Sequence, residues 1–172
     1  ILISIMLRLV TSFVLFTLSV SLHAQTTFWS DNFDAPAGGA NNNNAGAGWT
    51  LNSEGNTSNR WFINTPSGWG CSTSGNALHI SCDGFICGFL GGPNEPIYNA
   101  ASSLTRTAVS PNISTLGRTN ITLQFVYKCA GFANNDYGKL AISDDGGATW
   151  NELADNYVGT PNCTTKTIAI PA

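Results

Sequence analysis

The sequence predicts an all-β domain, an antiparallel β-sandwich, and three observations carry that prediction. No segment after residue 24 sustains a helical period; short apolar runs alternate instead with Gly/Asn/Pro punctuation. Ile121-Thr122-Leu123-Gln124-Phe125-Val126-Tyr127-Lys128 alternates cleanly, with Ile121, Leu123, Phe125 and Tyr127 on one face and Thr122, Gln124 and Lys128 on the other. One apolar and one solvated face is the pattern of an antiparallel sheet packed on one side only. Finally, Lys139-Leu140-Ala141-Ile142 and Trp150-Asn151-Glu152-Leu153 flank an Asp-Gly-Gly turn, which reads as a β-hairpin because glycine supplies the positive φ of a tight turn.

Taken in order, the chain begins with a targeting segment. Met6-Leu7-Arg8 supplies a positive start, Leu9 to Leu22 an apolar run and His23-Ala24 a small-residue end, so residues 1–24 are expected to be a signal peptide cleaved after Ala24. Met6 is a better start than Ile1, and residues 1–5 read as upstream sequence. The apolar run is interrupted by Thr11, Ser12, Thr17, Ser19 and Ser21, and no cationic stop-transfer cluster follows. The expectation is therefore a secreted or cell-surface product with no membrane insertion after cleavage.

Residues 25–172 make one domain's worth of chain. Strands are expected at Thr27–Phe33, Gly48–Leu51, Arg60–Ile63, Ala77–Ser81, Phe85–Leu90, Leu104–Val109, Ile121–Lys128, on both sides of the hairpin, and from Thr167. Ala35–Gly48, with Asn41 to Asn44, is a polar loop, and Pro111 ends the pairing of the segment before it. A short strand followed by Pro171-Ala172 suggests truncation at the C-terminus, with closing strands missing.

Charge excludes some functions. Without the first 24 residues the chain carries six basic against ten acidic side chains, no footprint for nucleic acid. All five cysteines, Cys71, Cys82, Cys87, Cys129 and Cys163, fall in the exported part, where disulfides are the natural reading. Cys82 and Cys87 bracket a loop short enough to close locally, Cys71 competes for either, and Cys129 with Cys163 is a second expected pair; the odd thiol is free or pairs elsewhere. No Cys-x-x-Cys occurs, which disfavours zinc.

Catalysis finds little support. His79 is the one histidine after residue 24, on an alternating segment where a solvated strand position is expected, so a histidine-based triad lacks its parts. Glycoside hydrolysis needs two carboxylates across one cleft, and Glu54, Glu95 and Glu152 show no such spacing. The chain is therefore expected not to be an enzyme over these residues. Hard cations want several oxygen ligands, and Asp31, Asp34 and Asp136 (with Asn135) are the candidates for a structural Ca²⁺ site; ordinary turn bracing is the plainer role for the same side chains. For sugar binding the useful groups are exposed aromatics beside Asn or Asp. Trp61, Trp69, Tyr98, Phe132 and Tyr137 qualify, with Trp69, Tyr98 and Tyr137 the assigned positions; Trp29, Trp49 and Trp150 are expected to pack inside.

Two resemblances follow from residues already quoted. Ser143-Asp144-Asp145-Gly146-Gly147-Ala148-Thr149-Trp150 fits Ser-x-Asp-x-Gly-x-Thr-Trp and resembles the Asp-box hairpin of secreted β-proteins, in which Asp and Ser/Thr brace the turn and Trp packs beneath it. Sialidase propellers repeat that box blade after blade, and here it occurs once. More broadly, several features occur in order: Phe28-Trp29-Ser30-Asp31-Asn32-Phe33-Asp34, Gly48-Trp49, Ser74 to Ile80, Thr107 to Ile113, Asn120 to Tyr127, and Tyr137-Gly138-Lys139-Leu140 before the hairpin. This order resembles the MAM-like or cleaved-adhesin-like modules of secreted surface proteins of Bacteroidota-type bacteria. The resemblance implies a concanavalin-like jelly roll serving adhesion or glycan binding, a structural cation, and further domains of the same polypeptide. It leaves a glycan or a surface protein as the expected partner. An accessory domain of a larger secreted protease or glycosidase, or a structural spacer, is the alternative.

Overall fold

The computed structural model describes residues 25–34, 48–52, 59–66, 70–71, 75–82, 98, 105–132 and 135–171. The proposed leader, Phe85–Leu90, Asn41–Asn44, Trp69, Cys87, Glu54 and Glu95 lie outside them. Among the described residues every regular element is a strand: β1 (Thr50–Leu51), β2 (Arg60–Asn64), β3 (Ala77–Ser81), β4 (Ala108–Val109), β5 (Thr122–Cys129), β6 (Gly138–Ile142), β7 (Asn151–Tyr157) and β8 (Thr160–Ala169). They pair antiparallel as β1–β4, β2–β3, β5–β8 and β6–β7, four small two-stranded sheets. The fold is all-β.

β5 realises the alternation read from its sequence. Leu123, Phe125 and Tyr127 turn inward, while Gln124, Val126 and Lys128 face out. Its partner is the distant β8, with Leu123 opposite Ile168 and Phe125 opposite Lys166. β8 starts at Thr160, seven residues before the expected Thr167. The sequence hid this because Asn162 to Lys166 is almost wholly polar, exposed from Asn162 to Thr165 and half-buried only at Lys166.

The deepest packing is in the β2–β3 pair. Phe62, Ile63 and Asn64 are buried one after another, which requires cover on both faces of β2. Ile63 is completely buried, and Ser81 and Cys82 close the end of β3 with no appreciable exposure. Opposite Phe62 sits His79, 8 % exposed, its ring 6.2 Å from the phenyl. This corrects the expectation of a solvated histidine. Burial holds its pKa down at about 4.

The expected strand at Thr27–Phe33 is not formed, for a local reason. Asp31 Oδ1 accepts the Phe33 amide at 2.7 Å, an Asx turn, and Phe33 takes a φ of 63°, which breaks the extended path. The segment is anchored by side chains instead. Arg118 lies over the Phe28 ring at 4.1 Å, Trp49 donates from Nε1 to Asp31 Oδ2 at 2.7 Å, and Gln25 bonds Thr122. Gly48–Leu51 and Leu104–Val109 shrink to the two-residue β1 and β4.

A disulfide joins Cys71 to Cys163 with Cα atoms 5.4 Å apart, tying the segment between β2 and β3 to β8. It replaces the expected Cys129–Cys163 pair. The register places Cys129 opposite Thr160, on the far side of an irregularity, and Cys129 is free. Cys82 is also disulfide-bonded.

Candidate functional site

Two registers bring one end of the molecule together. Cys129, last in β5, pairs with Thr160, and Gly138, first in β6, pairs with Tyr157. Tyr157 and Thr160 are joined by the short turn through Val158 and Gly159, whose φ of 63° suits glycine. The β5–β6 connection therefore lies beside the β7–β8 turn. Residues far apart in sequence, Tyr98, Cys129, Phe132, Asp136, Tyr137 and Tyr157, meet around this end.

Beneath it is an aromatic cluster. Tyr157 packs edge-on against Tyr127 at 5.1 Å and Phe125 at 5.6 Å, and Phe125 lies 5.7 Å from Tyr127. These contacts fix β7 on the inner face of β5, each aromatic pair adding about 0.5–1.5 kcal/mol beyond area burial. Tyr157 is 8 % exposed and its hydroxyl is buried with no hydrogen-bond partner among the described residues. Burial, with Asp155 adding to it, pushes that phenol upward in pKa.

Above the cluster is a tight turn. The Phe132 carbonyl accepts the amides of Asn135 at 3.0 Å and Asp136 at 2.9 Å. Gly131 is buried with its Cα facing the Asp136 carbonyl, where any side chain would collide with backbone. This close approach fixes the turn and pushes Phe132 outward: it is 71 % exposed, and Tyr137 47 %. Between them in sequence Asp136 is half-buried, and its carboxylate lies close enough to the Tyr98 phenol to act on its titration. Burial and the Asp136 carboxylate raise Tyr98 above the ordinary phenol range, and Cys129 adds to the shift.

Tyr98 and Tyr137 thus fall at one end, with Tyr98 half-buried and Tyr137 presented to solvent. Phe132, one of the aromatic candidates in the sequence, outranks both in exposure. Trp61 is half-buried on β2 opposite Ile80, away from this turn in the register.

Asp31, Asp34 and Asp136, the candidates for a cation site, each engage other groups of the chain. Asp31 is spent on Phe33 and Trp49. Asp34 accepts the Asn76 amide at 2.7 Å and the Asn32 side chain at 3.0 Å, clamping the N-terminal segment to the entrance of β3. Asp136 is engaged by Tyr98. Among the described residues, no three His, Cys, Asp or Glu side chains are placed to hold a metal ion.

The hairpin between β6 and β7 is braced as its sequence suggests. Asp145 accepts from Ser143 Oγ (2.7 Å), Thr149 N (2.9 Å) and Thr149 Oγ1 (2.6 Å), and Ser143 Oγ accepts the Gly147 amide at 2.7 Å. These bonds, chiefly from Thr149, hold the carboxyl far below its usual range. Gly146 and Gly147 supply φ values of 74° and 94°. Trp150 differs from expectation: it is 47 % exposed, its Nε1 donating to the Gly147 carbonyl at 3.1 Å across the outside of the turn. The turn is too short to hide an indole whose donor it needs. Glu152 stands exposed beside Lys139 at 3.5 Å, a surface ion pair.

Among the described residues no helix is long and apolar enough to cross a membrane. Compared with protein families, curated proteins and solved structures, the chain matches none.

Proposed function

We propose that this chain is a secreted, non-catalytic binding module of jelly-roll type that recognises a glycan or a surface protein through the aromatic end of β5–β8. One observation carries the reading: Phe132 and Tyr137 stand in solvent on a turn closed by paired backbone hydrogen bonds, over a packed tyrosine cluster. Large exposed aromatics cost hydration and release that cost on binding, which is the economy of an interface hot spot. The burial of His79, the Asx turn at Asp31 and the long-range clamp from Asp34 to the Asn76 amide fit a scaffold role for these parts of the chain.

The test is an array carrying both glycans and extracellular-matrix proteins, probed with the exported chain and with the double variant Phe132→Ala/Tyr137→Ala. The reading expects saturable binding that the double variant loses while keeping its melting temperature. Binding unaffected by the double variant, or none on any spot, would leave the structural-spacer reading in its place.

A further inference from the structure

We infer that the ligand of this end is an uncharged sugar, a neutral pyranose stacked on Phe132 or Tyr137 with its hydroxyls donated to Asp136; this rests on the binding-module reading above. Asp136 stands between the two aromatic residues in sequence, on the same turn. A pyranose has an apolar C–H face and a rim of hydroxyl donors. Phe132 has no polar atom, is 71 % exposed, and offers a flat apolar face. Four residues on, Asp136 offers an acceptor-only carboxylate on the same turn, where its own amide bonds the Phe132 carbonyl at 2.9 Å.

The Tyr98 phenol lies beside that carboxylate. A carboxylate has room for about four hydrogen bonds, so one phenol leaves acceptor capacity for incoming hydroxyls. The exposed Asn135 adds an amide that both donates and accepts. Charge decides the class of sugar. A half-buried carboxylate repels sialic acid, uronate and sulfate more strongly than an exposed one, because less water screens it. Lys139, the second residue of β6, is paired with Glu152, so it is not a ready counter-charge for an anionic ligand. The whole chain, at net −3, acts in the same direction.

The experiment uses the exported chain on matched panels of neutral hexose oligosaccharides and their sialylated, uronate-containing and sulfated counterparts, followed by calorimetry with the best neutral hexasaccharide. Binding should fall on the neutral panel. Phe132→Ala or Tyr137→Ala should weaken it about tenfold or more. Asp136→Asn should weaken neutral binding and narrow the gap to the anionic panel. Because Phe132 and Tyr137 are solvent-facing, both alanine variants should keep the parent circular dichroism spectrum and melting temperature. Preference for an anionic panel, or for a protein spot through the same two rings, would overturn the neutral-sugar assignment and leave the binding-module reading standing. Neutral-sugar binding indifferent to both rings would overturn the two together.

Discussion

Acid should weaken this protein through His79 before its carboxylates are protonated. Buried at 8 % exposure against Phe62, the imidazole titrates at about 4 when folded, against an ordinary 6.5. As pH falls through 6.5 the unfolded chain takes up a proton on this side chain and the folded chain does not. The contribution of neutral His79 is therefore whole above pH 6.5, erodes between 6.5 and about 4, and is gone below. At 1.36 kcal/mol per pH unit, that interval amounts to about 3 kcal/mol when fully developed. This is a large part of the 5–15 kcal/mol that holds a typical domain. The assay is urea unfolding followed by tryptophan fluorescence from about pH 7.5 to about pH 4, for the parent and for His79→Gln. Carboxylates contribute in both chains at the acid end, so the difference between the two curves isolates His79. The parent should lose about 3 kcal/mol more than the variant over that interval. Parallel curves would refute the claim that burial of a neutral imidazole at this position stabilises the fold.

Other perturbations address other parts of the molecule. Ile63→Ala removes a completely buried side chain from β2 and should cost about 2–5 kcal/mol, read as a lower urea midpoint with unchanged slope. Gly75→Ala places a methyl about 2.7 Å from Asp34 Oδ1 at a φ of 90°. It should destabilise by about 1–3 kcal/mol and expose the Asn76 amide to hydrogen exchange. Cys163→Ser opens a link spanning 92 residues and should cost about 2–5 kcal/mol; iodoacetamide without reductant should label Cys129 in the parent but not Cys71 or Cys163. Asp145→Ala should abolish exchange protection of the Thr149 amide and raise that of no other turn residue, since Thr149 N donates to Asp145 directly.

How much of this was legible beforehand depended on whether the signal was local. The alternation of Ile121 to Lys128 and the bracing of Asp145 by Ser143 and Thr149 are properties of a few adjacent residues, and the sequence displayed them directly. The N-terminal segment misled because its aromatic-rich composition suits a strand while Asp31 and Asn32 favour side-chain turns, and the turns won. His79 misled because alternation within one strand cannot reveal which face of β3 is the covered one, and the covered face is the one that carries His79 and Ser81. The same limit applied to Cys163, whose partner lies 92 residues away. At the aromatic end, Tyr98 and Tyr137 stood out as residue types, but their meeting at Asp136 is set by the Cys129–Thr160 and Gly138–Tyr157 registers. Nothing short of long-range pairing carries that information.

The contact surface itself can be located by amide chemical-shift mapping of the exported chain, titrated with a neutral hexasaccharide selected on the array. The account predicts shifts concentrated at Gly131, Phe132 and Asn135 to Gly138, with a weaker set at Val158 to Thr160 across the turn. Shifts centred instead on the Asp145 hairpin or on the outer face of β5 around Val126, with the Phe132 turn silent, would contradict it.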